Sequence, residues 1–140
     1  MTFRPEIRAV SNFFTWEVGE HCNNSCCIVV PVSSCSEFVS EFIDSGIAEQ
    51  LVVSGCKFFV LTGSESAQGH DLLDEVLERL GAEEVLTTHH EDDESVEDIA
   101  ALIDTMSRAK TINEVVVVLD GSRRHKILIT ELEELVATNE

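Results

Sequence analysis

Apolar residues along the chain fall into two alternating kinds of run: short continuous stretches and longer stretches with a helical beat. The continuous runs are Cys26-Cys27-Ile28-Val29-Val30-Pro31-Val32, Cys56 to Leu61, Glu84 to Thr88, and Glu114-Val115-Val116-Val117-Val118-Leu119-Asp120. Runs of this length with little alternation are the pattern of strands covered on both faces. Each is followed by a periodic stretch. Ser34 and Glu37 fit the S-x-x-E capping box ahead of Phe38, Val39, Phe42 and Ile43. Ser45-Gly46 is a stop, and a second short helical or irregular piece continues through Leu51 to Gly55. His70 to Leu80 puts Leu72, Leu73, Val76, Leu77 and Leu80 on one face and Asp71, Asp74, Glu75 and Glu78 on the other, with Gly81 as the stop. Ser95 to Arg108 carries Ile99, Leu102, Ile103 and Met106, and Ile127 to Val136 carries Leu128, Leu132, Leu135 and Val136.

Strands alternating with helices imply a mainly parallel sheet with helices on both faces. The expected fold is a three-layer, Rossmann-like α/β domain of four strands, or five if the N-terminal segment adds one. Residues 1–25 stand outside the cycle; Phe14, Trp16 and Val18 alternate with Thr15 and Glu17 as a half-buried strand does. The length suits one domain over residues 1–140, with 1–25 as an N-terminal extension or edge strand.

Composition sharpens this picture. A hydrophobic content of 44% fits a folded core rather than a disordered chain. No apolar run approaches the roughly 18 residues that span a bilayer. Met1-Thr2-Phe3-Arg4-Pro5-Glu6 lacks the basic start and apolar core of a signal peptide, so a cytoplasmic protein is expected. The five cysteines, an odd number, then read as reduced thiols rather than a disulfide framework.

Charge excludes more. The formal net charge is −18, and between Glu65 and Asp104 fourteen acids face a single base, Arg79. Such a surface repels phosphate backbones and anionic membranes and attracts basic proteins or cations. Arg123-Arg124-His125-Lys126 is the one basic cluster.

In an open parallel sheet, ligands collect outside the C-terminal ends of the strands. That rim should carry Ser33, Ser34 and Cys35; Thr62, Gly63, Ser64 and His70; Thr87 to Asp92; and Asp120, Gly121 and Ser122. The densest chemistry is Thr87-Thr88-His89-His90-Glu91-Asp92-Asp93-Glu94-Ser95. Imidazole with carboxylate is a workable ligand set for zinc, manganese or iron, and it is equally an acid/base pair. Adjacent histidines on an extended chain point to opposite faces, so one at most aims at a given site. The acids alone also suit the start of a helix, whose dipole they complement.

His21-Cys22-x3-Cys26-Cys27 lacks the second ligand pair of a zinc knuckle and reads as structural. Cys35 near a helix start suits a thiolate, but no arginine follows at the spacing of a phosphatase loop and no base partner is evident. Gly63-Ser64-Glu65-Ser66-Ala67-Gln68-Gly69 matches neither a dinucleotide fingerprint nor a P-loop, and no nucleophile elbow occurs.

Gly55-Cys56 before an aromatic strand, His70-Asp71 with Asp74 after it, and Thr87-Thr88-x-His90 followed by acids and a helix form a pattern over residues 51–106. It resembles a family of small bacterial domains of uncharacterised function. This chain departs from that family in having His89 where Trp is common, and in an acid spacing one residue longer after the histidine. The resemblance implies His70, Asp71 and His90 as the polar positions to follow, as metal ligands or acid/base groups, and carries no activity.

Three functions stay open. The first expectation is a non-enzymatic acidic module that engages a protein with a basic surface, as an inhibitor or immunity protein does, with no cofactor. The alternatives are a metal-dependent enzyme or small-ligand sensor using the C-terminal rim, with a divalent metal at His70, Asp71 and His90, and a nucleic-acid mimic.

Overall fold

The computed structural model describes residues 5–10, 25–119, 121 and 123–138. Within them the chain forms β1 (Glu6–Val10), β2 (Cys26–Pro31), β3 (Cys56–Thr62), β4 (Leu86–His90) and β5 (Glu114–Val118). The helices are α1 (Cys35–Phe38, running on as a π-helical segment Val39–Ile43), α2 (Ile47–Ser54), α3 (Ser66–Leu80), α4 (Val96–Ala109) and α5 (Arg123–Thr138). All five strands are parallel, in the order β1-β5-β2-β3-β4.

Three of the four continuous runs are strands buried on both sides, and the fourth, β4, is a half-buried edge strand. Ile28, Val29 and Val30 of β2, Phe59 and Val60 of β3, and Val116 and Val117 of β5 are fully buried. Their alternate side chains feed two cores. On one face Ile28, Val30, Phe59 and Leu61 pack with Phe38, Phe42, Leu51, Leu73 and Leu77 from α1 to α3. On the other, Val29, Phe58 and Val60 pack with Ile99, Ile103, Leu128 and Leu132 from α4 and α5. The result is the three-layer Rossmann-like arrangement. Chain order runs outward from β2 through β3 to β4, then crosses back to β5 on the other side of β2. The direction of winding therefore reverses between β2 and β5, the place where such sheets open a crevice.

Several boundaries differ from the sequence expectation. The fifth strand is Glu6–Val10, paired in register with β5 from Glu114 to Val118; the Phe14–Val18 alternation lies outside the described residues. β4 starts two residues later than its apolar run, because Ala82 to Val85 are spent on a turn in which Ala82 N–H donates to the Leu77 carbonyl and Val85 N–H to that of Ala82. Its register is set by β3, with Leu86 opposite Phe58 and His90 opposite Thr62. That places both histidines within the strand instead of the loop beyond it.

α3 begins at Ser66, a turn before the expected His70, and so takes Gly69 inside a helix. A Cβ at Gly69 would stand 3.0 Å from a Val32 methyl, so close packing on β2 overrides glycine's poor helix propensity. α5 likewise begins at Arg123 rather than Ile127. The cap at Ser34 forms as expected, its hydroxyl accepting from Glu37 N–H at 3.4 Å, and Ser95 caps α4 in the same way, accepting from Asp98 N–H at 3.1 Å.

The cysteines need one correction. Cys27, Cys35 and Cys56 are free and buried, but Cys26 is disulfide-bonded, to a partner outside the described residues. An odd count leaves room for one bridge among free thiols, and spacing alone did not reveal it. No helix among the described residues is long and apolar enough to cross a membrane.

Candidate functional site

The ends of β2, β3 and β4 are sutured by one residue. Gly63 adopts φ +113°, and a Cβ there would lie 2.7 Å from the Val32 carbonyl oxygen, an approach open only to glycine. Its N–H donates to the His90 carbonyl at 3.0 Å, while Val32 N–H donates to the Thr62 carbonyl at 2.6 Å and Glu65 N–H to that of Val32 at 3.0 Å. This fixes the floor of the rim.

Above it lies a cavity of about 390 Å³ lined by Val32, Ser33, Thr62, Gly63, Ser64, Asp92, Arg124 and His125. Five of these come from the expected rim positions: Ser33, Thr62, Gly63, Ser64 and Asp92. Arg124 and His125 do not. They arrive because α5 starts a turn early and swings the basic cluster over the strand ends. A basic first turn runs against the helix dipole, and specific bonds offset this. Arg124 Nη1 donates to the Asp92 carbonyl at 2.9 Å and Nη2 to that of Glu94 at 2.7 Å. His125, only 4% exposed, bonds through Nδ1 to the Val118 carbonyl at 2.7 Å and through Nε2 to Thr62 Oγ1 at 2.7 Å. A carbonyl oxygen can only accept, so Nδ1 carries the proton. In the neutral ring Nε2 is then an acceptor and the Thr62 hydroxyl donates to it.

The histidines singled out from the sequence sit elsewhere, and β4 divides them. Thr87 and Thr88 face opposite sides of the strand. Thr87 Oγ1 bonds His70 Nε2 at 2.9 Å and donates to Asp74 Oδ1 at 2.8 Å. His70 Nδ1 stands 3.4 Å from Asp74 and 3.7 Å from Asp71. The ring that joins this group is His89, edge-on to His70 with centroids 5.1 Å apart. His90 is buried on the other face, with Nδ1 at 2.6 Å from Glu94 Oε2 and Nε2 at 3.0 Å from Thr88 Oγ1. The structure thus brings His70 and Asp71 together and sends His90 away from them. No group of three or more histidine, cysteine or acidic side chains among the described residues is arranged to hold a metal.

Cys35 has no thiolate character, in keeping with the absence of a base partner in the sequence. Burial, and secondarily the charge of Glu65, push its thiol up rather than down, and its Sγ lies 3.5 Å from the Glu65 carbonyl. The helix start does not make it a thiolate. Asp120 and Ser122 of the expected rim lie outside the described residues.

A family model described as a domain of unknown function (DUF7684) matches residues 9–139. The chain belongs to that family. Membership agrees with the uncharacterised small-domain pattern over residues 51–106 and covers nearly the whole α/β unit. No curated protein and no solved structure matches this DUF7684 domain, so its chemistry rests on its own geometry. The signal that could have found Arg124 and His125 is the basic cluster Arg123 to Lys126, a few residues past the strand that ends at Val118, in an otherwise acidic chain.

Proposed function

We propose that the protein is a small-ligand-binding module whose site is the rim cavity between β2, β3 and the start of α5. One observation carries this reading: a buried Thr62–His125–Val118 hydrogen-bond chain opens onto a cavity at the C-terminal ends of β2 and β3. The groups there are held before any ligand arrives, which lowers the entropic cost of binding. Nuclear magnetic resonance titration with a set of small carboxylates, sugars, nucleosides and amines is the test. A hit shifts the amides of Ser33, Thr62 and Ser64; a set that moves none of them sinks the reading.

A second reading, the acidic protein-binding module, is supported by where the acids collect. Asp71, Asp74, Glu75 and Glu78 of α3, Glu91 to Asp93 after β4, and Glu97 and Asp98 of α4 are all exposed around the β4 edge. A docking face there binds a lysine-rich peptide with an affinity that falls steeply with salt. Neutralising Asp71, Glu75 and Glu78 weakens that binding more than neutralising Glu131, Glu133 and Glu134 of α5, at equal change in charge. Equal losses would reduce the effect to net charge and remove the reading. A cytoplasmic location, expected from the sequence, stands against the Cys26 disulfide, since reducing compartments keep thiols free. Thiol counting on protein purified from cells under acid quench decides between them.

A further inference from the structure

His125 is locked at one nitrogen and switchable at the other. The Val118 carbonyl holds a proton on Nδ1 in either charge state of the ring. While the ring is neutral, Thr62 must give its hydroxyl hydrogen to Nε2, so its oxygen turns only lone pairs to the cavity. Once the ring is protonated, Nε2–H donates to Thr62 Oγ1, and the hydroxyl hydrogen is released toward the cavity. One proton therefore turns Thr62 from acceptor to donor and puts a positive charge under the cavity floor.

We propose that the rim cavity takes a small oxyanion (a carboxylate, sulfate or phosphate group) and that its binding is coupled to uptake of one proton by His125 through Thr62. This rests on the ligand-binding reading and adds to it the ligand's class and its proton linkage. Arg124 supplies the fixed cation, its guanidinium already oriented by the Asp92 and Glu94 carbonyls, and guanidinium suits oxyanions through paired donors.

The charged groups around His125 divide in sign. Asp92 lines the same cavity, favouring the imidazolium and opposing the anion, while Arg124 does the reverse. Glu94 is taken by His90 at 2.6 Å. On α4 the first-turn acids Glu97 and Asp98 are exposed, and Asp104 and Arg108 pair with each other at 3.2 Å. β3 and β5 contribute Thr62 and Val118. On β1, Arg8 pairs with Glu6 and with Glu114 at the start of β5, away from the rim. The acid that opposes the anion is thus offset by Arg124, and the proton on His125 decides the balance.

Sulfate is the probe, because its own charge stays constant from about pH 8 to about pH 5.5, the span over which imidazoles ordinarily titrate. Calorimetric titration of the full chain in two buffers of different ionisation heat counts the protons taken up. The expected result is saturable sulfate binding that tightens up to about tenfold per pH unit as pH falls, with close to one proton taken up on the alkaline side. Thr62→Val flattens that dependence and Thr62→Ser keeps it. His125→Gln, whose amide N–H is a permanent donor, binds sulfate equally at both ends of the range.

Sulfate binding of constant strength without proton uptake overturns the inference, as does a pH dependence that survives in His125→Gln. No saturable sulfate binding at any pH also overturns it. In that case the small-molecule titration above separates the two ideas. Shifts from neutral or cationic compounds keep the ligand site and discard the oxyanion, while silence throughout removes both.

Discussion

Two threonine–histidine pairs hold opposite sides of this sheet, and they run in opposite directions. At the rim, Thr62 and His125 lie 2.7 Å apart, nearly closed off from water, and the third partner is a backbone carbonyl. At the β4 edge, Thr87 and His70 lie 2.9 Å apart, half open to solvent, and the third partner is the Asp74 carboxylate. In the first, the carbonyl takes the histidine's proton, so threonine must donate to the ring. In the second, the carboxylate takes the threonine's proton, so threonine must accept from the ring. The same two residue types thus offer different chemistry because of what stands third. Of the two pairs, the buried one lines the rim cavity, and burial gives a change of hydrogen-bond polarity more consequence there.

The largest effect should come from the residue that shapes the rim. Gly63→Ala combines φ +113° with a Cβ 2.7 Å from the Val32 carbonyl, and the Val32 backbone cannot retreat without giving up its bonds to Thr62 and Glu65. Strained backbone and forced overpacking together should cost about 4 kcal/mol in urea denaturation. Gly81→Ala, also at positive φ but with open space around it, should cost about 1 kcal/mol. Equal costs at the two positions would mean that the rim is not tightly sutured.

The opposite end of β3 gives a contrast in proton chemistry. Cys56, which opens that strand, has its thiol pushed by burial from 9.0 to about 12, and burial raises Cys27 as well. The folded protein keeps these protons where the unfolded chain releases them. Stability is therefore full below about pH 9 and falls as pH rises toward about 12, at about 1.4 kcal/mol per pH unit for each such thiol. Near pH 11 the Cys56 share of the loss should reach about 3 kcal/mol, and Cys56→Ala should flatten that limb of the denaturation profile. An unchanged limb in the variant would mean that Cys56 ionises as easily folded as unfolded.

How much of this was legible from the chain follows the same divide. The doubly buried strands were plain in Val29-Val30, Phe59-Val60 and Val116-Val117, since nothing but burial explains such runs. β4 was misplaced by two residues because Leu86-Thr87-Thr88-His89-His90 is an edge strand with little apolar signal, positioned by its pairing with Phe58 to Thr62. The start of α5 was hidden because Arg123 to Lys126 oppose the helix dipole; only tertiary bonds to the Asp92, Glu94 and Val118 carbonyls explain it. Residues 87–95 looked like the richest site, and alternation along β4 splits that site between two faces. The cavity's own histidine, His125, carried no local motif, because its partners Thr62 and Val118 come from two other strands.

The sharpest test of the comparison is to remove the same hydroxyl from both pairs. Thr62→Val keeps shape and strand propensity but removes the bond between Thr62 Oγ1 and the buried His125 Nε2. Loss of that buried hydrogen bond costs about 2 kcal/mol. Thr87→Val removes a bond from His70 and one from Asp74, yet both groups reach solvent, so water replaces the hydroxyl and the cost should stay within about 0.5 kcal/mol. A difference of this size in paired denaturation curves places the structural weight on the rim. If Thr87→Val proved as damaging as Thr62→Val, the β4 edge would be as closed to water as the cavity floor.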